Sequence, residues 1–119
     1  MKWWKLALKL FLSLKTPLIL ILDMRYFIAD SITLSKHIRE TSKFNYLVDR
    51  FDCDDFAWVF KAFFNKQQIN SVGFVIGLYS WGLHCWNCAV CVEGVFQIEP
   101  QTGELFKHKK GYIPLLVII

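Results

Sequence analysis

HCWNCAVCV, residues 84–92, decides how this chain is read. It carries Cys85, Cys88 and Cys91 at intervals of three, with a histidine at its head. Read as a loop, C-x2-C-x2-C is part of an iron–sulfur ligand run. Read as a strand, it disperses its thiols, because side chains alternate: Cys85 and Cys91 face one way and Cys88 the other. Three thiols split over two faces do not converge on one metal. The residues between them are Trp, Asn, Ala and Val, with no Gly or Pro to bend a ligand loop. The remaining thiol, Cys53, lies far upstream. The strand reading wins, and the three cysteines become small core residues.

Alternation then places His84, Trp86, Cys88, Val90 and Val92 on one face of that strand. Glu93-Gly94 reads as a two-residue hairpin turn that pairs Val92 with Val95. This register sets Cys88 opposite Glu99, Trp86 opposite Gln101 and His84 opposite Gly103, with His84, Glu99 and Gln101 on a shared face. From Ile69 onward the pattern has period two, and NSVGFVIGLYS, HCWNCAVCV, VFQIEP and YIPLLVII read as successive strands.

Upstream the pattern is helical. In DCDDFAWVFKAFFNK, residues 52–66, Asp52 is placed to cap a helix and Asp54 and Asp55 sit in its first turn, complementing the dipole. Phe56, Phe60, Phe63 and Phe64, with Ala57 between, line one side, so this helix is built to bury. DSITLSKHIRE reads as a shorter helix capped by Asp30 or Ser31, with Ile32, Leu34 and Ile38 as apolar positions and His37 on its surface. LILIL after Pro17 reads as a buried strand ending near Asp23, and SKFNYLVDR as a polar connection. Helices first and an antiparallel sheet after them indicate an α+β domain.

The bulk composition bounds the function. A chain of 119 residues supports one core. With 55% hydrophobic and 17% aromatic residues, disorder is excluded. The net charge of +4 is modest, and its one local cluster, Lys107, Lys109 and Lys110 around His108, reads as a solvated loop. No aromatic–basic interleaving is present, so no nucleic-acid partner is expected. The four cysteines lack the setting of a loop-rich secreted scaffold and read as reduced intracellular thiols. At the N-terminus, MKWWKLALKLFLSLKTPLILIL is interrupted by Lys9 and Lys15, is too short and charged to span a bilayer, and shows no small-residue cleavage site. Lys2, Lys5 and Lys9 recur at helical spacing, leaving Trp4, Leu8, Phe11 and Leu12 on other faces. Residues 1–15 therefore read as an amphipathic helix, either packed on the core or lying on a membrane or protein surface.

Cys53 falls in the first turn of the Phe-rich helix, where the dipole and free amides favour a thiolate. A helix N-terminal Cys, a His on a strand and a Glu on the next strand follow the chain order of papain-like and transglutaminase-like enzymes. YLVDRFDCDDFA, HCWN and FQIEPQTGELF resemble the family of papain-like cysteine-protease domains found at the C-terminus of the Marasmius oreades agglutinin and as stand-alone relatives in bacteria and phages. More distantly, HCW and IEP resemble the transglutaminase-like pattern. The resemblance runs over residues 17–118 of a single domain spanning 1–119. It implies a papain-like fold, with the nucleophile helix packed on a C-terminal antiparallel sheet.

It also implies roles: Cys53 as nucleophile, His84 as general base and acid, and Glu99 as the residue orienting the imidazole, with Gln101 as the alternative orienting group. The family's calcium dependence implies a Ca2+ site at Asp54 and Asp55, with Asp52 beside them. Three carboxylates around Cys53 oppose thiolate formation, and a divalent cation would cancel that opposition. The expected function is a cysteine hydrolase of peptide or isopeptide bonds, acting on a peptide or protein substrate in the cytoplasm of a bacterium or phage-infected cell. The alternative is a non-catalytic interaction or inhibitor module that retains the fold.

Overall fold

A capping box starts the helix on which the fold is organised. The Asp52 amide donates to Asp55 Oδ2 at 3.2 Å, while the Asp52 carboxylate accepts from the amide of residue 55, so two otherwise orphaned donors are satisfied reciprocally. The computed structural model describes residues 1–41, 47–50 and 52–119. The first part of the expected polar connection, residues 42–46, lies outside the described residues, as does Phe51.

Among the described residues three helices and six strands follow in the order α1 (Trp3–Leu14), β1 (Leu18–Leu20), α2 (Ser31–Thr41), α3 (Cys53–Lys66), β2 (Val72–Tyr79), β3 (Gly82–Cys91), β4 (Gly94–Glu99), β5 (Glu104–Phe106) and β6 (Tyr112–Ile118). The strands form one sheet in the order β1-β6-β2-β3-β4-β5. The chain is α+β, with the helix carrying Cys53 packed on β2 and β3.

The alternation in β3 divides the core between the two faces of the sheet. Trp86, Cys88 and Val90 join Val75, Val117 and the buried side of α1, which is Leu6, Leu10 and Leu14. Ala89 and Cys91 join Leu34 and Ile38 of α2 and Phe60 and Phe64 of α3 on the opposite face. The spacing of i, i+4 and i+8 on α1 and of i and i+4 on α2 and α3 is what a helix needs to lay one stripe on a sheet. Lys61 is buried on the same side of α3, and its Nζ donates to the Val72 carbonyl at 2.8 Å. Burial holds its pKa below the ordinary lysine value. Asp30 caps α2, its Oδ1 accepting the Thr33 amide at 2.7 Å.

Three expectations are corrected. LILIL is not a buried strand: β1 covers only Leu18–Leu20 and lies at the sheet edge with Leu18 and Leu20 exposed. It runs parallel to β6, pairing Leu18 with Leu116 and Leu20 with Ile118, so the sheet is mixed rather than antiparallel throughout. An edge strand has one neighbour, which leaves much of its surface in water. Ile32 faces solvent, because only Leu34 and Ile38 lie on the stripe of α2 that meets α3.

The two ends of the chain are joined through Tyr26. The Met1 ammonium donates to the Tyr26 carbonyl, and the Tyr26 hydroxyl donates to the Ile119 carbonyl at 2.8 Å. The Leu22 amide also donates to the Ile119 carbonyl, and the Ile119 amide to Leu20.

Candidate functional site

The β3–β4 hairpin turns at Val92-Glu93, pairing Cys91 with Gly94, Val90 with Val95 and Cys88 with Gln97. The register is therefore shifted by two residues from the expected one. Gly94, with φ +139°, serves as the first residue of β4, a backbone conformation that favours glycine. The shift moves Glu99 toward the end of β3 that carries His84. His84 Nε2 lies 2.7 Å from Glu99 Oε2. A carboxylate only accepts, so Nε2 carries the proton of this hydrogen bond.

Glu99 is buried and accepts from three sides. The Tyr112 hydroxyl donates to Oε2 at 3.0 Å, and the Gln101 amide to Oε1 at 3.3 Å. Gln101 thus touches the network through its main chain, while the Glu99 side chain is the one hydrogen-bonded to His84. Burial, then the Glu99 charge, hold the Tyr112 phenol well above its ordinary range. Trp86 stacks on the His84 ring at 5.7 Å between centroids, and Tyr79 lies 5.6 Å away on another side. The indole in turn donates to Gln97 Oε1 at 2.9 Å.

Gly77, paired with His84 across β2–β3, has no room for a side chain. A Cβ there would meet the Ile113 carbonyl and sit 2.5 Å from the Trp86 ring. The register shift between β2 and β6 also falls at Ile76/Gly77, a β-bulge beside the site.

Cys53 is not among the hydrogen-bonded members of this network. It opens α3, and its thiol neighbours Cys85, on the face of β3 opposite to Trp86. Burial first, and the adjacent Cys53 thiol second, push Cys85 up to about 12. Among the described residues no hydrogen bond joins Cys53 to His84. All four cysteines are free, with Cys88 and Cys91 buried on opposite faces of the sheet.

Asp52, Asp54 and Asp55 bring one carboxylate oxygen each within 4.8 Å of one another. Hydrogen bonding to Asp54, with burial and the Asp54 charge behind it, raises the Asp52 carboxyl to about 6. The donors are all hard oxygens, which suits Ca2+, although Asp52 Oδ2 and Asp55 Oδ2 also accept main-chain amides at the helix start.

A cleft of about 860 Å³ opens on the α1 side, where the end of α1 faces the loop before β6. Lys15, His108, Lys110 and Tyr112 border it, and Gln97 reaches its wall. The basic cluster read as a solvated loop therefore shapes a concave surface. Lys109, also in that lining, is paired with Glu104 at 2.6 Å. Tyr112 belongs both to the cleft and to the Glu99 network, and sequence reasoning missed it. Its partnership depends on β6 lying beside β2, with Tyr79 opposite Tyr112, a crossover that no local pattern announces.

No protein-family model matches the chain, and no curated protein matches it in sequence. Solved structures do match in fold. One is the Polyporus squamosus lectin bound to the human-type influenza-binding epitope Neu5Acα2-6Galβ1-4GlcNAc, with TM-score 0.80 and 22% identity over 94% of this chain and 46% of that one. Another is the PSL1a–E64 complex, with TM-score 0.81 and 23% identity over 100% of this chain and 51% of that one. The chain spans about half the length of these structures.

These likenesses correct the expectation of a cysteine hydrolase acting on a peptide substrate. The matching chains are lectin structures, one of them holding a sialylated glycan, and at 22% and 23% identity what they share with this chain is the fold. The non-catalytic module, carried as the alternative, stands nearer to these findings, and the chain shares the α+β fold of the Polyporus squamosus lectin structures.

Proposed function

We propose that the chain is a non-catalytic binding module that holds an anionic carbohydrate in the cleft between the end of α1 and the loop before β6. The lining of that cleft carries the reading. Lys15, His108 and Lys110 supply cationic and hydrogen-bonding groups, and Tyr112 supplies an aromatic wall. A pyranose offers apolar C–H faces to a tyrosine ring and hydroxyls to polar groups, and a sialic acid adds a carboxylate that suits lysine. The His84–Glu99–Tyr112 network serves to fix the tyrosine. In this reading Cys53 and Gln101 are structural. Asp52, Asp54 and Asp55 are the seat of a calcium ion that steadies the start of α3, supported by their convergent oxygens.

Calorimetric titration with Neu5Acα2-6Galβ1-4GlcNAc and with the same glycan lacking its sialic acid tests the reading. Binding to the sialylated form, weakened about tenfold or more by Lys110→Glu, is the expected result. Absence of binding across a broad glycan array overturns it. So does hydrolysis of a peptide library that is lost in Cys53→Ala.

A further inference from the structure

The helix α1 buries only one of its stripes. Opposite Leu6, Leu10 and Leu14 it presents a second apolar stripe, Trp4, Leu8, Phe11 and Leu12, at spacings of i, i+4, i+7 and i+8. All four are exposed, Leu12 at 64%, so the core makes no use of them. Met24, at 73% exposed, extends the patch, since it lines a shallow hollow with Lys2, Trp3, Trp4 and Arg25.

We propose that this face seats the domain on an anionic lipid bilayer. Charge selects that occupant. Residues 1–22 contain four lysines and no Asp or Glu. Lys5 and Lys9 flank the apolar stripe on one side, and Arg25 meets Lys2 and Lys5 at the start of the helix. The Lys5 ammonium lies 5.4 Å over the Trp4 ring, a cation beside an amphipathic aromatic. Trp, Phe and Leu on one face with lysines at its border is the composition of an interfacial helix, whose rings sit at headgroup depth while the lysines reach lipid phosphates and carboxylates. A second copy is a poorer occupant, because face-to-face pairing of α1 with itself would bring lysines against lysines. At 12 residues α1 is about 18 Å long, and among the described residues no helix is long and apolar enough to cross a membrane. It lies in the plane of the surface.

Sedimentation of the full chain with vesicles tests this, comparing phosphatidylcholine alone with phosphatidylcholine mixed with phosphatidylserine. Binding to the mixed vesicles at least about tenfold tighter, weakening as salt is raised, is the expected result. The double variant Leu8→Glu, Leu12→Glu should abolish binding while keeping the wild-type far-UV spectrum and melting temperature, because both side chains are exposed. Equal partition onto both vesicles overturns the proposal, as does wild-type binding by the folded double variant. A dimer in sedimentation equilibrium that this variant dissolves, without vesicle binding by the parent, overturns it in favour of a second copy.

Discussion

His84 Nε2 and Glu99 Oε2 lie 2.7 Å apart at a partly buried junction where Tyr112 and the Gln101 amide also converge on the same carboxylate. Removing that carboxylate leaves an imidazole N–H and a phenol without their acceptor. A buried donor left without its acceptor costs about 1–3 kcal/mol, and a half-buried one falls toward the lower end. Glu99→Ala should therefore lower stability by about 2–4 kcal/mol in urea denaturation, and Glu99→Gln, which keeps an acceptor oxygen, by less. Equal stability of Glu99→Ala and wild type would remove the network from any account of the fold.

Gly77 of β2 is paired with His84 of β3 on one side and Pro114 of β6 on the other. Its absent side chain leaves space that the Trp86 ring and the Ile113 carbonyl already occupy. Gly77→Ala should cost about 1–3 kcal/mol or more, since main chain must move to admit one methyl group. The loss should be accompanied by a changed near-UV signal from Trp86. A variant that melts with the wild type would show that β6 adjusts freely.

The thiols differ in their surroundings. Burial first, and charged neighbours second, push Cys85 and Cys91 up to about 12, and burial does the same to Cys88. At pH 8 about one in ten thousand such thiols is ionised. Iodoacetamide treatment of the native protein should add at most one group per chain, at Cys53, and four after denaturation. Intact and peptide mass spectrometry reads the result. Native labelling at Cys85 or Cys91 would contradict the burial assigned to them.

Asp52 titrates in the opposite sense from an ordinary capping carboxylate. Its folded value of about 6 lies above the usual 3.8, so between these values the folded chain holds more protons than the unfolded one. This contribution is fully present below the unfolded value and is lost as pH rises through about 6. Melting temperature should show a declining component from about pH 4 to pH 6, and Asp54→Asn should flatten it. Millimolar Ca2+ should raise the melting temperature above pH 6 in the wild type and not in Asp54→Asn. A melting curve indifferent to calcium at every pH would remove the cation from the proposed function.

Much of the architecture is legible in particular residues. Asp52 and Asp55, followed by Phe56, Phe60 and Phe64, announce α3 because capping and spacing agree. Alternation around Cys85, Cys88 and Cys91 announces β3 and disperses its thiols, as the two core clusters show. The register of β3 against β4 was displaced because Glu93-Gly94 resembles a turn pair, whereas Gly94 is needed one step later for its positive φ. That two-residue difference is what carries Glu99 to His84. Tyr112 and the parallel pairing of β1 were invisible for a different reason. Both depend on strands far apart in the chain, which periodicity does not record. The catalytic reading drew on an ordered set of residue types, and order along the chain carries no distance between their side chains.

Tyr26 gives the molecule one more property. Its carbonyl accepts from Met1 and its hydroxyl donates to Ile119, so one residue bridges α1 and the segment after β6. Main-chain bonds from Trp3 to Met24, Leu22 to Ile119 and Ile119 to Leu20 close the same circuit. The start of α1, the edge strand and the final residue therefore open together or not at all. In native-state hydrogen exchange the amides of Trp3, Leu22, Tyr26 and Ile119 should share one opening free energy, and Tyr26→Phe, which leaves the last carbonyl with the Leu22 amide as its donor, should speed all four at once.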